Sequence, residues 1–218
     1  MSQSPNQDTV LSVQGLGVSF GALKAVHDLS FDAKRGNVTA IIGPNGAGKS
    51  TAFNLISGAI VPKTGQVKFE GQDVTGFSPD KMLSASLSRS FQITNLFFDL
   101  TVHENLRLAG QYLEHGQGWW APVQRSHAAL ARTDELLKQF GLAYKSNELA
   151  GHLSHGEQRR LEIAVALASK PSMILLDEPT QGMSHADTQE TAELIASLAR
   201  DFGLSVLLVE HDVDLVMR

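Results

Sequence analysis

Residues 38–51 read VTAIIGPNGAGKST. Val38 to Ile42 form a short apolar run, the pattern of a parallel strand covered on both faces. The next residues fit the spacing G-x-x-x-x-G-K-[ST], with Gly43, Gly48, Lys49 and Ser50 in the fixed places, and a helix-like stretch continues to about Ser57. The chemistry behind that spacing is specific. Glycines let backbone N–H groups curl around a phosphate, the helix N-terminus adds its dipole, a lysine bridges the outer phosphates and a hydroxyl binds Mg²⁺. Gly43, Pro44, Asn45, Gly46, Ala47, Gly48, Lys49, Ser50 and Thr51 are therefore candidate phosphate-binding residues. A plain glycine turn between strand and helix is the alternative. It is disfavoured because strand, loop and helix all occur where the motif requires them.

The bulk properties set outer limits. The chain has 218 residues, 42% hydrophobic and 19% charged, enough for one large domain or two small ones with a sizeable core. A net charge of −5 carries no basic surplus of the kind nucleic-acid binders use, so no nucleic-acid partner is expected. With no cysteine, disulfides, thiolate catalysis and cysteine metal sites are excluded. The polar start MSQSPNQDTV lacks the basic and apolar regions of a signal peptide. The most apolar runs are strand-sized, well short of the roughly 18 residues that cross a bilayer. The chain reads as soluble by itself, with any membrane link made through a partner.

Outward from the glycine loop, residues 10–42 read as short β-rich pieces separated by glycine, and 66–70 (QVKFE) alternate like a half-buried strand. From about 80 to 169 the pattern turns helical, over 80–88, 102–113, 124–140 and 156–169, with a tryptophan-containing loop EHGQGWWAP at 114–122. After 171 strand and helix alternate again: strand 172–177, helix 186–201, strand 204–209, helix 212–218. This is an α/β body with a parallel sheet, helices on both faces and a helical insert. Ligands bind such sheets at the carboxyl ends of the strands.

Two further stretches carry chemistry. Residues 173–178, MILLDE, end an apolar strand in two carboxylates. Asp177 would hold Mg²⁺ beside the phosphate loop, and Glu178 would polarise an attacking water. A solvated acidic turn is the bland reading, and the company of the glycine loop counts against it. Residues 153–164, LSHGEQRRLEIA, open with a capping box, Ser154-x-x-Glu157, ahead of Leu161, Val165 and Ala168. The same small hydroxyl and bare backbone at a helix N-terminus also suit an anion.

The glycine loop, the LSHGEQRRLEIA stretch and MILLDEPT, in this order, resemble the nucleotide-binding subunit of an ABC transporter, from about residue 10 to the end. The resemblance implies a P-loop NTPase core, 9–93 and 171–218, with a mostly parallel sheet and an N-terminal antiparallel β part. A helical insert, 94–170, would carry the signature motif, all within one ABC ATPase domain, 1–218. It implies ATP and Mg²⁺ as cofactors. It also implies that Phe20 stacks on adenine, that Gln92 touches Mg²⁺ and the attacking water, and that His211 contacts the γ-phosphate and supports Glu178. Ser154 and Gly156 would close on ATP held by a second ATPase subunit, the same or a homologous one. Departures from the family pattern are His155 and Glu157 in the signature, commonly LSGGQ, and Ser184 where a carboxylate often helps couple two sites. Relatives usually continue beyond the region of His211 with further strands and a helix.

The signature, the DEPTQGM turn, the VEHDVDLVM ending and the 114–122 loop are most similar to the branched-chain (hydrophobic) amino acid uptake subfamily. That kinship implies transmembrane permease subunits, a periplasmic binding protein acting indirectly, and a peripheral place at the cytoplasmic face of the inner membrane. A permease helix would dock near Gln92 and Ile93–Leu100, although Leu96, Phe97 and Phe98 could equally be core. A urea or amide importer, a lipopolysaccharide-type exporter and a soluble ABC ATPase are the alternatives.

Overall fold

The computed structural model describes residues 8–90, 96–111 and 127–210. Its backbone divides into two compact units, one formed by Met1–Arg89 with Ser172–Arg218 and the other by Ser90–Pro171.

In the first unit, β1 (Thr9–Phe20) and β2 (Leu23–Lys34) form a long antiparallel hairpin. With β4 (Thr64–Phe69) and β5 (Gln72–Asp73) they make a four-stranded antiparallel sheet in the order β2-β1-β4-β5. The second sheet is wholly parallel, β3-β8-β7-β6, from β3 (Val38–Ile42), β8 (Ser205–Glu210), β7 (Met173–Asp177) and β6 (Leu87–Arg89). Side chains alternate across a strand. Met173, Leu175, Leu207 and Val209 therefore join one core with Phe53, Leu55 and Ile56 of α1 (Lys49–Ile56) and with Leu11, Leu16 and Phe69 of the antiparallel sheet. Their neighbours Ile174, Leu176, Val206 and Leu208 are buried as well, so β7 and β8 are covered on both faces. The helix α6 (His185–Phe202) buries Ile195, Leu198 and Ala199 and contacts β3 and β8. Ser184 caps it by accepting from the N–H of Asp187, and Gly203 ends it in the left-handed conformation.

Three expectations need correction. The pieces expected from residue 10 are not short: β1 runs through Gly15 and Gly17 as one twelve-residue strand because pairing with β2 carries it across them. Val38–Ile42 is not covered like β7 and β8: its ends are exposed, because β3 is an edge of the described sheet and pairs only with β8 there. The helix expected over 80–88 stops early. The helix α2 (Pro79–Ser84) ends in a turn with Ser86 at φ 71°, and Leu87–Arg89 becomes strand β6 against β7. Leu-Ser-Arg has little strand propensity of its own; the exposed edge of β7 recruits it.

The second unit is helical: α3 (Val102–Gly110), α4 (His127–Gln139) and α5 (His155–Ala166). Thr101 caps α3, and buried Asn105 holds the preceding turn by accepting from Phe97 N and donating to the carbonyls of Phe97 and Thr101. Leu96 is buried, whereas Phe97 and Phe98 are 59% and 44% exposed. Among the described residues no helix is long and apolar enough to cross a membrane.

Candidate active site

The phosphate loop leaves the carboxyl end of β3 and enters α1. Gly46 and Gly48 have φ of +82° and +85°, where L side chains are strained. At Gly48 space adds a second constraint, since a Cβ there would stand 2.3 Å from the carbonyl oxygen of Ala25 on β2. Gly48 is also the N-cap of α1, and no side chain caps that helix or places an acid in its first turn. Its leading amides are thus offered to a ligand rather than used internally. Lys49 is buried, and its Nζ donates to the carbonyls of Gly43 (2.7 Å) and Pro44 (3.1 Å), so the ammonium lies within the curl of the loop. Pro44, Asn45, Gly46 and Ala47 are exposed, while Gly43, Ser50 and Thr51 are partly covered.

Register places the carboxylates. Ile42 pairs with Glu210 and Asp177 with Val209, so the ends of β3 and β7 flank the end of β8. Two strand spacings separate them, about 10 Å, within reach of a phosphate chain and its metal. Asp177 is buried, and Arg89 Nη2 approaches its Oδ2 at 3.7 Å. The same guanidinium donates to Asn54 Oδ1 of α1 and to Oγ of Ser57, its C-cap, both at 2.7 Å, and lies over the Phe53 ring. Burial pulls Arg89 below its ordinary pKa, and the negative charge of Asp177 opposes that shift. Glu178 has a φ of +45°, a strained conformation for a non-glycine residue, and its N–H donates to Val209 O at 3.0 Å. Thr180 Oγ1 donates to Glu210 Oε1 at 2.9 Å, tying the turn after Glu178 to the residue before His211. Arg89, Thr180 and Glu210 were not singled out from sequence; only an Arg in a short segment that pairs with the carboxylate strand could have hinted at the first.

Phe20 ends β1 opposite Leu23 and is 52% exposed. Leu23 precedes Ala25, the residue against Gly48, by two positions on β2, about 7 Å along the strand. An exposed ring on the strand paired with β2, whose Ala25 backs Gly48, suits a base. Gln92 and His211 lie outside the described residues, as does the 114–122 loop.

Ser154 and Gly156 belong to the second unit, at the start of α5. The capping box is complete: Ser154 Oγ accepts from Glu157 N at 3.3 Å, and Ser154 N donates to Glu157 Oε2 at 2.8 Å. Ser154 and His155 are exposed and Glu157 is buried. Cap and open amide face coexist at this terminus.

The residues fit a magnesium nucleotide. A glycine cradle with no room for a Cβ at Gly48, an uncapped helix N-terminus and an enclosed ammonium suit phosphates. One hydroxyl, Ser50, and one carboxylate, Asp177, form the sparse oxygen set of a Mg²⁺ that arrives with phosphates and water.

Residues 26–181 match the family model described as ABC transporter. The chain is 36% identical over 215 residues to LivG of Salmonella typhimurium, a high-affinity branched-chain amino acid transport ATP-binding protein, covering 95% of this chain and 84% of that one. It is similar to the ADP conformation of MJ1267, an ATP-binding cassette of an ABC transporter, with a TM-score of 0.83, 30% identity, and coverage of 96% and 84%. It is also similar to the dimeric post-hydrolysis state of the cassette MJ0796 bound to ADP and Pi, with a TM-score of 0.75, 27% identity, and coverage of 94% and 89%. With the parallel sheet, the glycine cradle and the paired carboxylates in one place, these likenesses identify the chain as a member of the ABC transporter family, carrying its ATP-binding cassette.

Proposed function

We propose that the chain is the ATP-hydrolysing subunit that powers a membrane importer of branched-chain amino acids. The observation that carries the nucleotide chemistry is the uncapped, glycine-cradled start of α1 after β3, with Asp177 and Glu178 at the end of β7, two strand spacings from the end of β3. The substrate class rests on the likeness to LivG across nearly the whole chain.

Bound Mg·ATP supplies the phosphoryl group and the metal charge. The amides of 43–51 and the Lys49 ammonium hold the outer phosphates and counter the charge that spreads over them. Ser50 and Asp177 take the metal, and the Arg89 pair keeps the Asp177 carboxylate in place. Glu178 orients a water and accepts its proton, and His211 supports that geometry. Phe20 stacks on the base. Gln92 meets the metal and links the site to the helical insert. Ser154 and Gly156 serve a second copy or a homologous subunit, so two nucleotides are enclosed between two ATPases. Transmembrane permease subunits dock on the exposed Phe97 and Phe98 face, and a binding protein delivers substrate from the other side. The chain thus works peripherally at the cytoplasmic face of the membrane.

The test is uptake. Cells carrying Glu178→Gln as their sole copy lose at least 100-fold in ATP-driven uptake of labelled leucine, isoleucine and valine. Uptake of all three at the normal rate, with urea uptake lost instead, would assign the chain to an amide importer.

A further inference from the structure

The signature helix α5 carries an apparent contradiction. Its N-terminus is proposed to meet a γ-phosphate, yet Glu157 places a carboxylate in its first turn. A carboxylate this close to a phosphate opposes binding unless its charge is countered. The structure supplies the counter-charge from a separate element. A short turn, Ala143–Lys145, anchored by the buried Phe140 and Leu142, brings two side chains against Glu157. Tyr144 Oη donates to Oε1 at 2.8 Å, and Lys145 Nζ donates to Oε2 at 3.2 Å. Ser154 N donates to that same Oε2. Lys145 also faces Glu148 at 3.5 Å, a longer contact than the one to Glu157. Because Ser154 Oγ accepts from Glu157 N, its own proton is available to donate outward.

We propose that Tyr144 and Lys145 are positioning residues of the signature half-site. They lock the Glu157 carboxylate into the cap and neutralise it, so that the Ser154 hydroxyl and the amides of His155 and Gly156 face a partner's γ-phosphate without a competing negative charge. Neither residue touches nucleotide. Burial alone would raise the Glu157 pKa, but the N–H of Ser154 and the groups of Tyr144 and Lys145 outweigh it and hold it at about 2, so the carboxylate is charged at neutral pH and needs that compensation.

The proposal rests on the two-copy reading of the ATP site. The experiment uses the full chain with Glu178→Gln, which retains ATP, and measures the ATP concentration giving half-maximal dimer by sedimentation. Lys145→Met raises that concentration about tenfold, with unchanged ATP affinity of the monomer and an unchanged circular dichroism spectrum. Adding Glu157→Gln removes the charge that Lys145 answers and restores the value to within about threefold. Tyr144→Phe, which keeps the ring and loses the hydroxyl, shifts it in the same direction by less. Dimerisation unaffected by Lys145→Met, or a Lys145→Met defect that Glu157→Gln leaves in place, would overturn the proposal. Failure of Glu178→Gln alone to dimerise with ATP would remove the two-copy reading itself, and the proposal with it.

Discussion

Glu157 shows how much one side chain in this protein is asked to do. It completes the cap of α5, anchors Tyr144 and Lys145, and sits behind Ser154. Its pKa is lowered from 4.5 to about 2, which fixes the sign of its contribution to stability. A carboxyl whose folded pKa is depressed stabilises the fold above its unfolded pKa, and that stabilisation disappears as pH falls through the folded one. The urea midpoint of the wild type therefore exceeds that of Glu157→Gln at pH 7. The gap stays constant down to about pH 4.5 and closes as pH falls toward 2; a gap independent of pH across that range would refute it. Gly48 and Lys49 were legible from spacing alone, since a phosphate loop is a local device whose constraints follow one another along the chain. Tyr144 and Lys145 were not, because their partner lies beyond an intervening turn and nothing in AYKSNELAGHLSHGE marks which charges meet.

At the scale of elements, α6 was legible because its buried face repeats at the helical period, and β7 and β8 because strands covered on both faces read as continuous apolar runs. Strand β6 escaped for a physical reason. Three residues form a strand only because β7 is already there to pair with them. The edge position of β3 escaped for the same reason, since composition reports burial tendency and not the number of neighbours. Ser184 was read from sequence chiefly as a missing carboxylate. The structure gives it a positive role, as the N-cap of α6 and a donor to Asp187 Oδ2 at 2.7 Å. Ser184→Ala accordingly costs about 1 kcal/mol in chemical denaturation and speeds amide exchange in the first turn of α6. Unaltered stability and exchange would mean that the Asp187 side chain alone holds that terminus.

Across the whole molecule, each of the two units carries one group of the proposed site residues. The first unit holds the phosphate loop with Asp177 and Glu178; the second holds Ser154 and Gly156 on α5. Motif spacing marks both groups as expectations, and family likeness alone assigns their union to a second subunit. The parallel sheet was legible in the continuous apolar runs at 38–42, 173–176 and 205–209, and the antiparallel part came from family likeness. The proposed arrangement with a second subunit rests on family likeness, since nothing in the sequence of one chain pairs Ser154 with a particular phosphate loop. The most direct test places Ser154→Arg in the Glu178→Gln protein and measures ATP affinity of the monomer together with ATP-driven dimerisation. A half-site serving a second copy predicts unchanged monomer affinity and loss of the dimer at saturating ATP. A dimer that persists, with monomer affinity weakened instead, would show that Ser154 acts on the nucleotide of its own chain and would contradict the arrangement.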